Sequence, residues 1–164
     1  MKLLIVVRHA KASLPNVVVN DYNRPLTRLG IKDSKQIAQY LNLKKYNPDC
    51  VIASSATRTV ETANIFCEEL KNTTLQKNCS MYGSTSNQLL ELIAEINDSC
   101  NIVMIVGHNP TITSLINIIS DACIDYVPTS GTGIIKFDMS SWKKIINIQG
   151  KLVEFIYPKK LKLL

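Results

Sequence analysis

The sequence has no Cys-x-x-Cys pair, no glycine-rich phosphate loop, no long apolar run and only two histidines among its 164 residues. Each shortage removes a class of protein. Five widely spaced cysteines (Cys50, Cys67, Cys79, Cys100, Cys123) make neither a disulfide framework nor a zinc pattern. Cys50, Cys67 and Cys100 fall in or beside expected elements and are read as small buried thiols, which suits a reducing cytoplasm. Without Gly-x-x-x-x-Gly-Lys or Gly-x-Gly-x-x-Gly, P-loop nucleotide hydrolysis and dinucleotide binding lack support. A Cys-x5-Arg nucleophile loop is missing too. No apolar stretch approaches the ~20 residues needed to span a bilayer. The N-terminal apolar stretch, broken at Arg8, is too short for a secretory signal, so a soluble, cytoplasmic protein with no membrane partner is expected. Aromatics are only 6% of the chain, and no basic run is interleaved with them, so no nucleic-acid partner is expected. The net charge of +6 favours anionic substrates or an acidic partner instead.

What is present alternates between strand and helix patterns. Leu3–Val7 is a continuous apolar run, as in a strand buried on both faces. Residues 13–25 read as loop. Thr27 can cap a helix carrying Ile31, Ile37, Ala38 and Leu41 on one side. Cys50–Ala53 is a short strand, followed by a helix over Thr57–Leu70. An edge strand is expected within Thr73–Met81, and Ser86 is expected to cap a helix over Gln88–Ile96. Ile102–Val106 is another buried strand, and Pro110-Thr111 starts a helix with Ile112, Leu115, Ile116 and Ile119. Gly133–Phe137 and Lys151–Ile156 are the last strands, with the lysine-rich end, residues 159–162, read as solvated surface. No repeat or linker interrupts the pattern. The expectation is one α/β domain over residues 1–164, three layers αβα around a mostly parallel sheet.

The two histidines occupy matching places. His9 follows the first strand and His108 follows Ile102–Val106. In open α/β sheets, ligands bind beyond the carboxyl ends of the strands, and neutral imidazole is a nucleophile and proton carrier near pH 7. A strand-capping hydrogen bond would explain either histidine alone; two matched positions, with Arg8 adjoining one, favour an active site. Arg24 lies in the loop after the first strand and Arg58 at the next strand-to-helix junction. Arg8, Arg24 and Arg58 together could present planar donor forks to a phosphoryl group, beside a helix N-terminus. The plain alternatives are a surface ion pair of Arg24 with Asp21 and an exposed helical Arg58. No Asp/His cluster has metal-ligand spacing, so neither metal nor cofactor is expected.

Four segments in order carry a family resemblance: Arg8-His9-Ala10, Asp21-Tyr22-Asn23-Arg24-Pro25-Leu26-Thr27 with Gly30, Ser54-Ser55-Ala56-Thr57-Arg58-Thr59-Val60-Glu61-Thr62-Ala63, and Val106-Gly107-His108-Asn109-Pro110, with Tyr82-Gly83, Leu89-Leu90 and the ending from Gly150-Lys151-Leu152 to Pro158-Lys159 matching in order as well. They resemble the histidine phosphatase (phosphoglycerate mutase-like) superfamily, and in particular its short SixA-type phosphohistidine phosphatases. The resemblance spans nearly the whole chain. It implies a phosphoglycerate mutase-like fold and a metal-independent phosphatase in which His9 becomes transiently phosphorylated. Arg8, Arg58 and His108 would hold the transferring group, with Arg24, Ser13 and Asn109 as substrate contacts. It also implies a monomer acting on a phosphorylated protein, such as a histidine phosphotransfer domain. The alternative is a phosphatase of small phosphometabolites or nucleotide phosphates, and a third reading is a phosphoprotein-binding module without turnover.

The departures matter. Ala10 and Ser55 stand where the family has Gly and Pro. The family's asparagine after the signature is missing near Pro15, with Ser13 as a substitute donor. No match exists for the acidic proton donor of mutases, and Glu91 and Glu95 read as surface charges. A missing acid favours a phosphoramidate, whose nitrogen leaving group is readily protonated, and the short chain leaves few residues for a lid.

Overall fold

The computed structural model describes residues 1–15, 18–71 and 74–163. Their framework is a six-stranded sheet in the order β3-β2-β4-β1-β5-β6. The strands are β1 (Lys2–Arg8), β2 (Cys50–Ser54), β3 (Thr74–Asn78), β4 (Ile102–Gly107), β5 (Thr132–Phe137) and β6 (Lys151–Ile156). β3, β2, β4 and β1 are mutually parallel, while β5 runs against both β1 and β6. The helices are α1 (Arg28–Leu43), α2 (Thr57–Leu70), α3 (Ser86–Ala94), α4 (Thr111–Ile119) and a short α5 (Pro158–Leu161).

The apolar runs of β1, β2 and β4 are continuous because both of their faces are covered. Alternate residues point to opposite sides of a strand. Ile5, Val7, Val51, Ala53, Met104 and Val106 therefore pack with Ile37, Ala38 and Leu41 of α1 and Ala63, Phe66 and Leu70 of α2. Leu4, Val6, Ile52, Val103 and Ile105 meet α3, α4 and Trp142 of a 3-10 turn (Trp142–Ile146) on the other side. The result is three layers, αβα, as the strand-helix alternation implied. At the strand starts, buried Lys2 gives its ammonium hydrogens to the Cys100 carbonyl at 3.0 Å and to Asn101 Oδ1 at 3.1 Å.

Register places the site. Arg8 lies opposite Gly107 and Ala53 opposite Val106, so β1, β4 and β2 finish at the same edge. Three of the resembling segments begin there.

Some boundaries differ from the sequence reading. The α3 cap is Thr85 and not Ser86: Thr85 Oγ1 accepts from Gln88 N while Gln88 Oε1 accepts from Thr85 N, and this reciprocal pair starts the helix one residue earlier than a Ser86 cap allows. The edge strand β3 covers Thr74–Asn78, and Cys79–Met81 turns as a 3-10 helix with Asn78 capping Ser80; Thr73 lies outside the described residues. The lysine-rich end contains α5, with Pro158 at its first turn. Cys50 is buried, but Cys67 and Cys100 are only half-buried. Among the described residues no helix is long and apolar enough to cross a membrane.

Candidate active site

His9 and His108 meet at the shared edge, their ring centroids 5.3 Å apart and tilted by 58°. His9 follows β1 directly and is fixed by main-chain pairing: its N–H donates to Gly107 O at 3.0 Å, and its carbonyl accepts from Ser130 N at 3.3 Å. The supporting turn needs Ser130 in the left-handed region (φ 57°), closed by Gly131 N donating to Pro128 O at 2.8 Å. The next residue, Ala10, is anchored by its N–H to Thr62 Oγ1 at 3.0 Å, and Thr62 donates to Arg58 O at 2.7 Å. One α2 hydroxyl thus ties the His9 loop to the helix that carries Arg58.

The state of His9 follows from its partner. Nδ1 lies 2.7 Å from the Ala10 carbonyl, which can only accept, so Nδ1 carries the hydrogen and Nε2 keeps its lone pair. Burial pushes its pKa down from 6.5 to about 3; the Ala10 bond opposes this, and the charges of His108, Arg58 and Arg8 assist it. His108 is likewise pushed down to about 4, by burial first and then by Arg58. Its Nε2 shares a 2.9 Å hydrogen bond with Ser54 Oγ. Both imidazoles are neutral at pH 7.

The three arginines share one pattern. Arg8 gives Nη1 hydrogens to Tyr126 Oη and, at 2.9 Å, to the Val127 carbonyl. Arg24 gives Nη1 to Ser13 O at 2.9 Å and Nη2 to Asp21 Oδ1 at 3.0 Å. Arg58, 5% exposed, gives Nη1 to Asp21 O and Nη2 to Asp21 Oδ2 at 3.0 Å. In all three, Nε is buried without a hydrogen-bond partner among the described residues, and so is Nδ1 of His108. Unsatisfied buried donors are costly. These four partnerless atoms belong to residues gathered around the two histidines.

The side chain of Asn109 is already engaged. Asn109 Nδ2 donates to Val127 O at 3.0 Å, and its Oδ1 accepts from Thr113 at 3.1 Å, so its amide braces the loop that positions Arg8. Ser13 meets Arg24 through its carbonyl. Glu91 and Glu95 are exposed, as the sequence suggested. Sequence reasoning missed the degree to which Asp21 joins both Arg24 and Arg58. Tyr82, which the sequence placed only within the resemblance and gave no role, donates its hydroxyl to Asp21 Oδ2 at 2.7 Å, and its ring stands 5.6 Å from that of His108. Tyr22 packs edge-on against Tyr82 at 5.0 Å. The signals in the sequence were the spacing of Asp21 and Arg24 within one loop and the place of Tyr82-Gly83 in the resemblance. Among the described residues no group of three or more His, Cys, Asp or Glu side chains could hold a metal ion.

The sequence model of the histidine phosphatase superfamily (branch 1) matches residues 4–79, which include Arg8, His9, Ser13, Arg24 and Arg58. An uncharacterized chloroplastic protein of Arabidopsis thaliana is 25% identical over 157 residues, 90% of this chain and 72% of that one. A crystal structure from Agrobacterium tumefaciens that bears the name of the phosphohistidine phosphatase SixA superposes with a TM-score of 0.82 at 26% identity, covering 96% of this chain and 98% of that one. The protein histidine phosphatase SixA complexed with tungstate superposes with a TM-score of 0.77 at 20% identity, over 97% of this chain and 99% of that one.

Proposed function

We propose that this chain is a member of the histidine phosphatase superfamily, whose model matches residues 4–79, and a phosphatase that removes the phosphoryl group from phosphohistidine in a partner protein, through a phospho-His9 intermediate. One observation carries the reading: the Ala10 carbonyl holds the Nδ1–H tautomer of a neutral His9, leaving Nε2 as a nucleophile that needs no base.

In the first step His9 Nε2 forms a bond to phosphorus as the P–N bond of the substrate breaks. The electron pair leaves with the substrate imidazole, which departs neutral because its other ring nitrogen carries a proton taken from water. The Nε donors of Arg8, Arg24 and Arg58 meet the phosphoryl oxygens, where negative charge is concentrated. His108 hydrogen-bonds one of those oxygens; a bound dianion supplies the opposite charge that raises the imidazole's pKa from about 4. In the second step water attacks phosphorus, the bond to Nε2 breaks, and inorganic phosphate leaves with the water proton.

The leaving group supports the substrate class. The carboxylate that touches the site's arginines is Asp21, and the Tyr82 hydrogen bond with the neighbouring Arg58 and Arg24 holds it below the usual carboxylate range. An ionised carboxylate cannot protonate a departing alkoxide. A phosphoramidate does not require it to.

The rival reading is a phosphatase of small phosphometabolites. It is favoured by a cavity of about 460 Å³ beside His108, lined by Met81, Ser84, Thr85, Pro110 and Ser114 among others, within the usual size range for small-molecule sites. A phosphohistidine-bearing protein, assayed against a panel of small phosphomonoesters, separates the two. Faster turnover of the protein is expected; much faster turnover of the esters overturns the substrate assignment. Single-turnover labelling should trap an acid-labile phospho-His9, and His9→Ala should abolish it. A chain that binds phosphoprotein without forming that adduct is not an enzyme of this kind.

A further inference from the structure

Asp21 is half exposed, its side chain 51% accessible, yet four donors converge on it. Arg24 reaches Oδ1, Arg58 Nη2 and the Tyr82 hydroxyl reach Oδ2, and Arg58 Nη1 reaches the main-chain carbonyl. Exposed ion pairs add little to stability, so fold maintenance is a poor reason for this arrangement. Its geometric consequence is specific. Arg58 is gripped on both Nη atoms by one residue, and Arg24 is gripped on its Nη atoms by Asp21 and Ser13. Each guanidinium is planar, so fixing its outer nitrogens fixes where the remaining Nε–H lies. Those Nε atoms are the ones left buried and partnerless.

We propose that Asp21 is a positioning residue, which locks Arg24 and Arg58 so that their Nε edges are set for the phosphoryl group before it arrives. The proposal rests on the phosphoryl-transfer reading of the same site. Asp21 touches neither substrate nor reacting atoms; it acts through the two arginines. Tyr82 completes the lock at Asp21 Oδ2, with Tyr22 packed on its ring.

Charge alone makes the opposite prediction. A carboxylate beside two arginines repels an incoming phosphate, so deleting it as a mere charge should tighten anion binding and speed the reaction. Deleting it as a positioning group should slow the phosphoryl transfer while leaving ground-state anion binding much less affected, because transition-state contacts are more sensitive to orientation.

The test compares wild type with Asp21→Asn and Asp21→Ala. Single-turnover phosphorylation of His9 by a phosphohistidine-bearing protein is expected to fall at least tenfold in Asp21→Ala. Inorganic phosphate affinity should change by less than about threefold, and the thermal midpoint should stay close to wild type. An unchanged or faster labelling rate overturns the proposal, and so does a parallel loss of phosphate affinity. Should Asp21→Ala fold poorly, Asp21→Asn in wild-type and Arg24→Lys backgrounds decides: losses that fail to add support the proposal, and additive losses overturn it. Arginine Nε–H resonances supply a readout that needs no turnover. With inorganic phosphate added, those of Arg24 and Arg58 should shift in wild type and broaden or lose the shift in Asp21→Ala; identical behaviour in both proteins sinks the lock. Wild type that shows the Nε–H shifts without forming phospho-His9 keeps the positioning role and discards the phosphatase reading.

Discussion

At the scale of residues, two imidazoles 5.3 Å apart are kept neutral by burial, and this has a measurable consequence for stability. Burial holds His9 down at about 3 and His108 at about 4 in the folded chain, against the ordinary imidazole value of 6.5. The folded values are depressed, so the unfolded chain takes up these protons first as pH falls. Stability is therefore fully present above about pH 6.5 and is lost toward pH 4, by about 1.4 kcal/mol per pH unit for each histidine. Denaturant midpoints at pH 7.5, 5.5 and 4.5 should show that decline, and His9→Ala should reduce its slope. A flat profile would mean that the native histidines are already charged. The sequence exposed these residues because histidine is rare here and both copies end buried strands. The convergence of Asp21 and Tyr82 on Arg58 gave no such sign: exposed loop residues carry no periodicity, and only the folded chain brings residues 21, 58 and 82 together.

At the scale of elements, the start of α1 pins the loop that follows β1. Thr27 Oγ1 accepts from Gly30 N at 3.0 Å and donates to Lys11 O at 3.1 Å, while Thr27 N also donates to Lys11 O at 2.9 Å. The approach is so close that a Cβ on Gly30 would lie 2.2 Å from the Lys11 carbonyl oxygen. Gly30→Ala should therefore push that loop away from α1, destabilising the fold by about 1–3 kcal/mol. Because Ser13 in that loop holds Arg24, the rate of His9 phosphorylation should fall as well. Thr27→Ala, which removes the cap, should lose about 1 kcal/mol. Chemical denaturation and labelling kinetics on the two variants check both effects; a Gly30→Ala protein of wild-type stability would contradict the contact. The Thr27 cap was legible because Thr precedes a helical pattern directly. The α3 start was misplaced by one residue because Thr85 and Ser86 are both capable caps, and only the side chain of Gln88 selects between them.

At the scale of the whole molecule, the parallel strands gather partnerless donors from β1, α2 and the loop after β4 at one edge, so a phosphate should bind the folded chain and not the unfolded one. Inorganic phosphate at a hundred times its dissociation constant should stabilise the protein by about 2.7 kcal/mol. Thermal melts with and without phosphate read this directly, and Arg58→Ala should remove most of the shift. No shift in wild type would deny the anion site. The sequence by itself determined the three-layer architecture, since apolar runs that end in turn residues become strands covered on both faces wherever they lie in the chain. It also determined which residue types could carry the chemistry. Tertiary structure alone decided the rest: strand register set His9 beside His108 across a hundred residues, and burial with an Ala10 hydrogen bond left one of them neutral with its Nε2 unprotonated. Distance, desolvation and hydrogen-bond partnership belong to pairs of groups brought together by folding, and a linear order of residues does not contain them.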